Sequence, residues 1–217
     1  MSEQFEASAP WPTFNRPLVA ILRGLAPNDA DAIGDALVEA GFEAIEVPLN
    51  SPDPFRSIER MAKRFGDKVL VGAGTVLTAG DANRLADAGG RLMVSPNIED
   101  SVMEVCRARQ LVTMPGVFTA TEALKALRLG ASGLKFFPAS ALGPGGINAI
   151  RAVLPPDCVI GAVGGVGHVD FGRYLEAGVS AFGLGSSLFK VGLTADDVAK
   201  RAATTISAYD EAVAALT

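Results

Sequence analysis

The chain has 217 residues, of which 49% are hydrophobic and 20% are charged, a composition and length that suit one large α/β domain. The formal net charge of −5 is spread without a basic stripe, which excludes a nucleic-acid-binding surface. The longest stretch without ionisable side chains, residues 136–150, is interrupted by prolines and glycines, which excludes a membrane-spanning helix.

Residues 1–16 precede any periodic pattern and are predicted to form a short N-terminal helix or arm. Acidic residues stand where a secretory signal peptide would carry basic ones, and no long apolar run follows, so we expect a cytoplasmic protein. Phe5, Trp11 and Phe14 are the apolar anchors with which the arm would pack under the domain formed by residues 17–217.

From Pro17 onward, short apolar runs with β propensity alternate with longer segments of helical periodicity. One helix start is marked by Thr119 and Glu122, which have the spacing of a capping box. The eight predicted strands are residues 18–24, 44–49, 69–76, 91–97, 111–117, 133–139, 159–166 and 180–187.

A weak internal repeat supports this count of strands. Gly41, Gly89, Gly130 and Gly178 each follow a helical segment and precede a strand. Strands that are apolar on both faces must be covered by helices, as in a parallel sheet. Eight βα units therefore predict an α/β fold, a single-domain (β/α)8 TIM barrel. An open doubly wound sheet is the alternative, disfavoured because no G-x-G-x-x-G follows the first strand.

Three predicted strands carry a charged residue that is costly to bury. Arg23 ends the first strand, Glu46 lies in the second and Lys135 lies in the sixth. Because side chains alternate along a strand, Ile45 and Val47 are expected to face the helices, whereas Glu46 and Lys135 face the barrel interior. We therefore expect Glu46 and Lys135 to share a polar cavity. A buried ion pair that merely fixes the barrel geometry is the alternative.

A buried lysine in a polar cavity favours amine chemistry. Burial lowers the pKa of Lys135, so that part of it is free amine near neutral pH. A free amine attacks a ketone to form a Schiff base, and the protonated imine accepts the electron pair of an adjacent carbon–carbon bond. Glu46 would move the protons, and these two residues are the predicted catalytic pair.

Two glycine-rich segments predict a phosphate site. Gly164 and Gly165 follow the seventh strand, Gly185 and Ser186 follow the eighth, and each segment is predicted to lead into a helix. Barrels commonly bind phosphate at these loops through backbone N–H groups. Thr75, at the end of the third strand, is either a substrate-binding hydroxyl or a turn residue.

The residue types that bind metals are scattered along the chain. Cys106 and Cys158 are isolated from each other and from His168, so we expect no metal site, no disulfide and no cofactor. The cysteines are predicted to fill apolar space, and His168 to have a structural role.

Six short motifs occur in order along nearly the whole chain: ILRG at 21–24, EVPLNSP at 46–52, GAGTV at 72–76, SPN at 95–97, LKFFP at 134–138 and VGGV at 163–166. Together they resemble the class I 2-keto-3-deoxy-6-phosphogluconate/6-phosphogalactonate aldolases. The resemblance implies a homotrimeric (β/α)8 lyase without metal or cofactor. Its substrate would be a phosphorylated 2-keto-3-deoxy sugar acid, and its products pyruvate and D-glyceraldehyde 3-phosphate.

The resemblance also implies individual roles. Lys135 would form the Schiff base, and Glu46 would be the proton donor and acceptor. Thr75 would contact the pyruvate carboxylate, and Phe137 would be an apolar wall beside the iminium. The phosphate loops would be those that contain Gly164, Gly165, Gly185 and Ser186.

Two departures favour the galactonate branch of this family. The gluconate branch has an Arg shortly after its catalytic Glu, where this chain has Asn50. Arg23, whose guanidinium can bind a carboxylate bidentately, matches the galactonate branch, although a surface arginine at a strand end is the alternative. Val163 stands where the gluconate branch tends to have Thr. We therefore expect an enzyme of galactonate catabolism that cleaves 2-dehydro-3-deoxy-6-phosphogalactonate. The gluconate epimer, or both epimers, is the alternative substrate.

Two further classes of function stay open at this stage. A barrel isomerase or synthase that binds phosphate would use the same loops without forming an imine at Lys135. A sugar-acid phosphate sensor would keep Arg23 and the loops without turnover.

Overall fold

The structure, a computed structural model that describes residue 7 and residues 9–216, alternates strands and helices along the chain. Phe5 lies outside the described residues, and none of the described helices is long and apolar enough to cross a membrane. The described strands are β1 (Leu18–Ile21), β2 (Ala44–Pro48), β3 (Leu70–Gly74), β4 (Leu92–Val94), β5 (Val112–Met114), β6 (Gly116–Val117), β7 (Leu134–Phe136), β8 (Ile160–Val163) and β9 (Ala181–Leu184). The described α-helices are α1 (Ala30–Ala40), α2 (Pro54–Phe65), α3 (Ala79–Asp87), α4 (Asp100–Ala108), α5 (Ala120–Arg128), α6 (Ala139–Arg151), α7 (Phe171–Glu176) and α8 (Ala195–Ala214).

All the paired strands run parallel, in the order β5-β4-β3-β2-β1-β9-β8-β7-β6. The fifth predicted strand is divided into β5 and β6 at Pro115, because proline has no N–H to donate to a ladder. Since β5 pairs with β4 and β6 pairs with β7, one stretch of chain brings both ends of the sheet together in a nearly closed barrel. The (β/α)8 prediction is confirmed, and the alternative of an open sheet is wrong.

The strands bury both of their faces, as the sequence predicted. Ile45 and Val47 of β2 belong to the larger apolar cluster between the sheet and the helices. A second, smaller cluster contains residues that alternate along the strands with those of the larger cluster. They fill the barrel interior near the amino ends of the strands. Its strand members are Val19, Ala44, Leu70, Leu92, Val94, Val112, Met114 and Ala181.

The described part of the N-terminal segment lies at the amino ends of the strands. Ala9, Trp11 and Phe14 pack against the interior cluster, and the rings of Trp11 and Phe14 meet edge to face at 5.7 Å. The hydroxyl of Ser132, just before β7, donates a hydrogen bond of 2.6 Å to the carbonyl of Ala9. Apolar contacts therefore close this end of the barrel, and the barrel interior opens at the carboxyl ends of the strands.

The four repeat glycines share one backbone conformation. Gly41, Gly89, Gly130 and Gly178 have φ angles of 107°, 81°, 82° and 85° where the chain leaves α1, α3, α5 and α7. This left-handed conformation favours glycine at helix ends, so the repeat is a recurring helix-to-strand turn. The predicted capping box at Thr119 is also present at the start of α5.

Candidate active site

A cavity of about 760 Å³ opens at the carboxyl ends of β1, β2, β7, β8 and β9. Every residue predicted for the site, except Thr75, lines this cavity. The conserved geometry of TIM barrels places active sites at this end, because the βα loops can vary there without disturbing the packed barrel.

Glu46 lies deep in the cavity on β2, where only 2% of the residue is exposed. Burial raises the pKa of its carboxyl group to about 7, although the charges of Lys135 and Arg23 and a backbone hydrogen bond from Gly74 act in the opposite direction. Its Oε2 atom is buried without a hydrogen-bond partner among the described residues. The carboxyl group can therefore both donate and accept a proton near neutral pH.

Gly74 makes the position of this carboxylate possible. It ends β3, the strand beside β2, and a Cβ at position 74 would collide with the carboxylate of Glu46. The absence of a side chain at Gly74 thus lets the carboxylate lie against the backbone of the next strand.

Lys135 lies on β7 and is 6% exposed. Burial lowers the pKa of its ammonium group and nearby Arg23 lowers it further, whereas Glu46 acts to raise it. The Lys135 and Glu46 side chains form no direct ion pair in the described structure, and the lysine Nζ lies 4.7 Å from the centroid of the Phe137 ring. The two charged groups therefore share the cavity and influence each other's pKa without a direct ion pair.

Arg23 follows β1 at the mouth of the cavity and is exposed. Its Nη1 atom donates a hydrogen bond of 2.7 Å to Oδ1 of Asn50, which follows β2. The N–H of the next residue, Gly24, donates a bond of 2.9 Å to the hydroxyl of Ser51. These two bonds join the loops after neighbouring strands and hold the guanidinium beside the cavity.

The first glycine-rich segment follows β8 and leads through a single 3₁₀ turn into α7. Gly164 and Gly165 have φ angles of 92° and 71°, which a residue with a side chain rarely adopts. A Cβ at Gly164 would lie 3.0 Å from the Phe137 ring, and one at Gly165 would collide with Ser140. Among the described residues, no acceptor takes the N–H of Gly165, which is therefore available to a ligand.

The second segment, after β9, departs from the prediction of a following helix. Gly185 and Ser186 begin a turn in which the N–H groups of Leu188 and Phe189 both donate to the carbonyl of Gly185, at 2.9 Å each. The next helix, α8, begins only at Ala195, because Leu188 and Phe189 are buried as loop anchors instead of forming a helical stripe. Any anion at this segment would meet turn N–H groups and hydroxyls, not a helix end.

Val163 and Thr75 complete the set of predicted residues. Val163 ends β8, is 5% exposed and packs over Gly183, where a Cβ would lie 2.7 Å from its Cγ2. Thr75 directly follows Gly74 and has a φ of 57°, a strained value for a β-branched residue. Glu46 pairs with Gly72 and Pro48 with Gly74 in the β2–β3 register, so Thr75 lies just beyond the ladder, and it does not line the cavity.

Eight further lining residues were not predicted as site residues: Ile21, Val166, Gly167, Gly183, Ser187, Phe189, Lys190 and Val191. Ser187 continues the Gly-Ser-Ser run and could have been included with it. Lys190 follows three positions later. A helix was predicted there, and the sequence does not show whether the side chain of Lys190 would face the cavity from such a helix. Its place in the cavity depends on the turn that replaces that helix.

The isolated cysteines and histidine lie away from the cavity lining. Burial raises the pKa of the Cys106 and Cys158 thiols to about 12, which makes both poor nucleophiles. His168 is exposed on the 3₁₀ turn before α7. Within the described ranges, no group of three or more His, Cys, Asp or Glu residues could hold a metal ion.

Known proteins are similar to this chain in sequence and in fold. The model of the family "Aldolase: KDPG and KHG aldolase" matches residues 14–204. A "Probable 2-dehydro-3-deoxy-6-phosphogalactonate aldolase" of Rhizobium meliloti (strain 1021) is 61% identical, over 93% of this chain and 95% of that protein. A "2-dehydro-3-deoxy-6-phosphogalactonate aldolase" of Escherichia coli (strain K12) is 45% identical, over 91% and 96%.

Among solved structures, one named "Native KDPGal structure" has a TM-score of 0.92 and 44% identity, and the alignment covers 94% of this chain and 99% of that one. The family model covers most of the chain, and the relatives align over nearly their whole length. The chain belongs to the KDPG and KHG aldolase family.

Proposed function

We propose that this protein is a class I aldolase that cleaves 2-dehydro-3-deoxy-6-phosphogalactonate to pyruvate and D-glyceraldehyde 3-phosphate. The observation that carries the proposal is the pair of buried groups, Lys135 with a lowered pKa and Glu46 with a raised one, in a single cavity without an ion pair. The names of the relatives at 61% and 45% identity support the choice of substrate.

Binding is proposed to use the two ends of the cavity. Arg23 binds the substrate carboxylate at one end, with Thr75 as a second contact. At the other end, the phosphate lies against the N–H groups and hydroxyl of the segments that contain Gly164, Gly165, Gly185 and Ser186. The carbon chain of the substrate would then extend between the two ends and pass Lys135 and Glu46.

Imine formation begins when the free amine of Lys135 adds to C2 of the substrate. The resulting carbinolamine loses its hydroxyl as water after Glu46, in its acid form, donates a proton to it, and the product is a protonated imine. Phe137, whose ring lies 4.7 Å from the lysine Nζ, forms an apolar wall that limits the access of water to this imine.

Cleavage then uses the carboxylate form of Glu46. It accepts the proton of the C4 hydroxyl, the C4 oxygen forms the aldehyde carbonyl, and the electron pair of the C3–C4 bond moves to the iminium to give an enamine. D-Glyceraldehyde 3-phosphate leaves. Glu46 returns its proton to C3, and water then hydrolyses the new protonated imine. This releases pyruvate and the free amine of Lys135, and the carboxylate of Glu46 accepts the proton set free, which restores its acid form.

Borohydride treatment in the presence of pyruvate tests the imine. We expect Lys135 to gain the mass of a lactyl group, because hydride reduces an imine to a stable secondary amine. No adduct forms without pyruvate, and an isomerase, a synthase or a phosphate sensor would give none with it. A wild-type protein that is not labelled at Lys135 would overturn the proposed chemistry.

The substrate is tested by supplying the two C4-epimeric phosphates in parallel and coupling the reaction to pyruvate detection. We expect faster cleavage of the galactonate epimer. Preference for the gluconate epimer would contradict the proposed substrate while leaving the imine chemistry intact.

The assembly and location follow as further parts of the proposal. A homotrimer is supported by the family resemblance and by the exposed apolar side chains of Leu77 and Phe118, which are 48% and 39% accessible after β3 and β6. A cytoplasmic location is supported by the free thiols of Cys106 and Cys158. Light scattering of the purified protein measures the assembly directly, and a monomer in dilute solution would contradict it.

The division into an arm of residues 1–16 and a barrel domain of residues 17–217 is also proposed. It is supported by the packing of Trp11 and Phe14 against the barrel interior. Deletion of the arm is expected to lower the unfolding temperature, because it exposes that apolar surface to water.

A further inference from the structure

We propose that Lys190 supplies the positive charge that binds the substrate phosphate, and that it thereby determines the preference for phosphorylated over unphosphorylated substrates. This inference rests on the proposed function, because it assigns a further residue to the same cavity. The phosphate segments themselves contain only glycines, serines and a valine, so they offer hydrogen bonds but no cation.

The charges that line the cavity lead to this assignment. Four lining residues carry a titratable side chain: Arg23, Glu46, Lys135 and Lys190. The substrate brings a carboxylate and a phosphate monoester, whose charge near neutral pH is about −1.5 to −2. Arg23 is matched with the carboxylate, and Lys135 reacts with C2. Lys190 is then the lining cation left to balance the phosphate.

The loop that carries Lys190 is anchored at Phe189 and touches the loop after β1 at Val191. Phe189 is 6% exposed, and its N–H donates to the carbonyl of Gly185 at 2.9 Å. On the other side, Val191 is 73% exposed, but its Cγ2 lies against Gly24, where a Cβ would approach it to 2.5 Å. Gly24 follows the carboxylate-binding Arg23 directly, so the loop that carries Lys190 is docked on the same cavity rim.

The side chain of Lys190 itself is exposed and unpaired. In the part of the chain that the structure describes, no carboxylate lies within ion-pair distance of its Nζ and no acceptor takes a hydrogen bond from it. Among the described residues, the N–H groups of Ser186 and Ser187 are likewise not donated to a protein acceptor. A cation and free backbone donors thus meet in one loop, the combination that binds a phosphate.

Other basic residue types lie near this loop but line a different surface. His168, Lys200 and Arg201 line a small neighbouring pocket of about 170 Å³, which shares only Ser187 with the cavity. Lys200 therefore provides a matched control, since its replacement removes the same charge nearby without altering the cavity lining. Lys68, exposed just before β3 at the amino end of the barrel, provides a distant control.

The test compares Lys190→Gln with Lys200→Gln and Lys68→Gln in two assays. The first measures cleavage of the phosphorylated sugar acid. The second measures aldol addition of pyruvate to D-glyceraldehyde, which lacks the phosphate. We expect Lys190→Gln to raise KM for the phosphorylated substrate roughly 10-fold, the worth of one exposed charge-assisted contact. Addition to D-glyceraldehyde should keep its kcat/KM within about two-fold, as a phosphate contact contributes nothing there.

Two additional measurements sharpen the test. Lys190→Arg should restore most of the affinity, because it keeps the charge. Inorganic phosphate should inhibit the Lys190→Gln protein more weakly than the wild type, which reports phosphate binding apart from turnover.

The outcomes separate this inference from the proposed function. A wild-type KM retained in Lys190→Gln would overturn the inference, as would an equal loss in both assays or an equal loss in Lys200→Gln. If the wild type neither cleaves the sugar acid phosphate nor forms an imine with pyruvate, the proposed function itself fails. Direct binding of inorganic phosphate, measured by titration calorimetry, still tests Lys190 in that case: weaker binding to the variant would support the phosphate contact, and unchanged binding would overturn it.

Discussion

The side-chain oxygen of Asn50 accepts a hydrogen bond of 2.7 Å from Nη1 of Arg23. A guanidinium has five N–H donors, so this bond orients the group and leaves donors for a carboxylate. In the gluconate branch of the family, from which this sequence departs, an Arg stands at the position of Asn50. Here Asn50 instead orients Arg23, which follows the neighbouring strand and is the arginine proposed to bind the carboxylate.

Replacement of Asn50 is expected to weaken substrate binding more than turnover. Asn50→Ala removes one hydrogen bond between exposed groups, worth roughly 0.5 to 1.5 kcal/mol, so KM should rise about 3- to 10-fold while kcat changes little. Steady-state kinetics measure this split. Asn83→Ala is a matched control, because Asn83 accepts a hydrogen bond of 3.3 Å from Arg109 away from the cavity. An unchanged KM in Asn50→Ala would show that Arg23 needs no such support.

Lys135→Met should abolish turnover and labelling by pyruvate and borohydride while the fold is kept. Methionine has a similar length and no amine, and Glu46, whose pKa is raised to about 7, can take up a proton and so avoid an uncompensated buried charge. Circular dichroism checks the fold, and mass spectrometry checks the labelling. Continued pyruvate-dependent labelling of the variant would assign the imine to a different lysine.

Glu46→Gln should lower kcat by roughly 10²- to 10⁴-fold, the usual contribution of a general acid or base. The amide keeps the shape of the side chain but cannot exchange a proton. Single-turnover kinetics at pH 7 measure the effect. A rate near that of the wild type would place the proton transfer on another group.

The same variant should change how stability depends on pH. The pKa of Glu46 is raised from 4.5 to about 7 in the folded protein, so the folded state binds more protons than the unfolded state between these values. Wild-type stability from this group is therefore lost as pH rises from about 4.5 to 7.

Glu46→Gln removes this loss. The unfolding free energy of the variant minus that of the wild type should therefore increase by on the order of 2 to 3 kcal/mol from pH 5 to pH 8. Urea unfolding at both pH values and at one protein concentration measures the difference. A difference that does not change with pH would mean that the folded carboxyl group titrates near its ordinary pKa.

Val163→Thr should shift selectivity toward the gluconate epimer. Val163 lines the cavity just before Gly164, which is proposed to bind the phosphate, so we expect its side chain to reach the carbons between imine and phosphate. A threonine of nearly the same shape adds one hydroxyl, worth roughly 0.5 to 1.5 kcal/mol toward one C4 epimer. The ratio of kcat/KM values for the two epimers should change several-fold, without loss of galactonate cleavage. An unchanged ratio would show that Val163 does not determine the branch.

Much of the fold was predictable because its signals are local. The alternation of β2 places Ile45 and Val47 against the helices and Glu46 in the interior, and the same rule places Lys135. The division of the fifth strand at Pro115 was not predicted, since hydrophobic periodicity runs through the proline. Pairing with different neighbours on either side of Pro115 becomes visible only when the barrel closes.

The prediction of a helix after Ser186 is wrong for a similar reason. Its apolar residues fit a helical pattern, but Leu188 and Phe189 are buried as loop anchors, and Gly192 has a φ of 90°. Tertiary burial outweighed the local preference, and this loop carries Lys190 to the cavity.

The sequence by itself determined which charged residues enter the barrel, because a lone charge in an apolar strand is costly wherever the strand lies, and the two-residue period fixes its direction. Only the tertiary structure decided which partners these residues meet. The bond from Arg23 to Asn50 and the docking of Val191 on Gly24 join loops that are distant in sequence. Their approach depends on the order and register of the strands in the barrel, which no local pattern encodes.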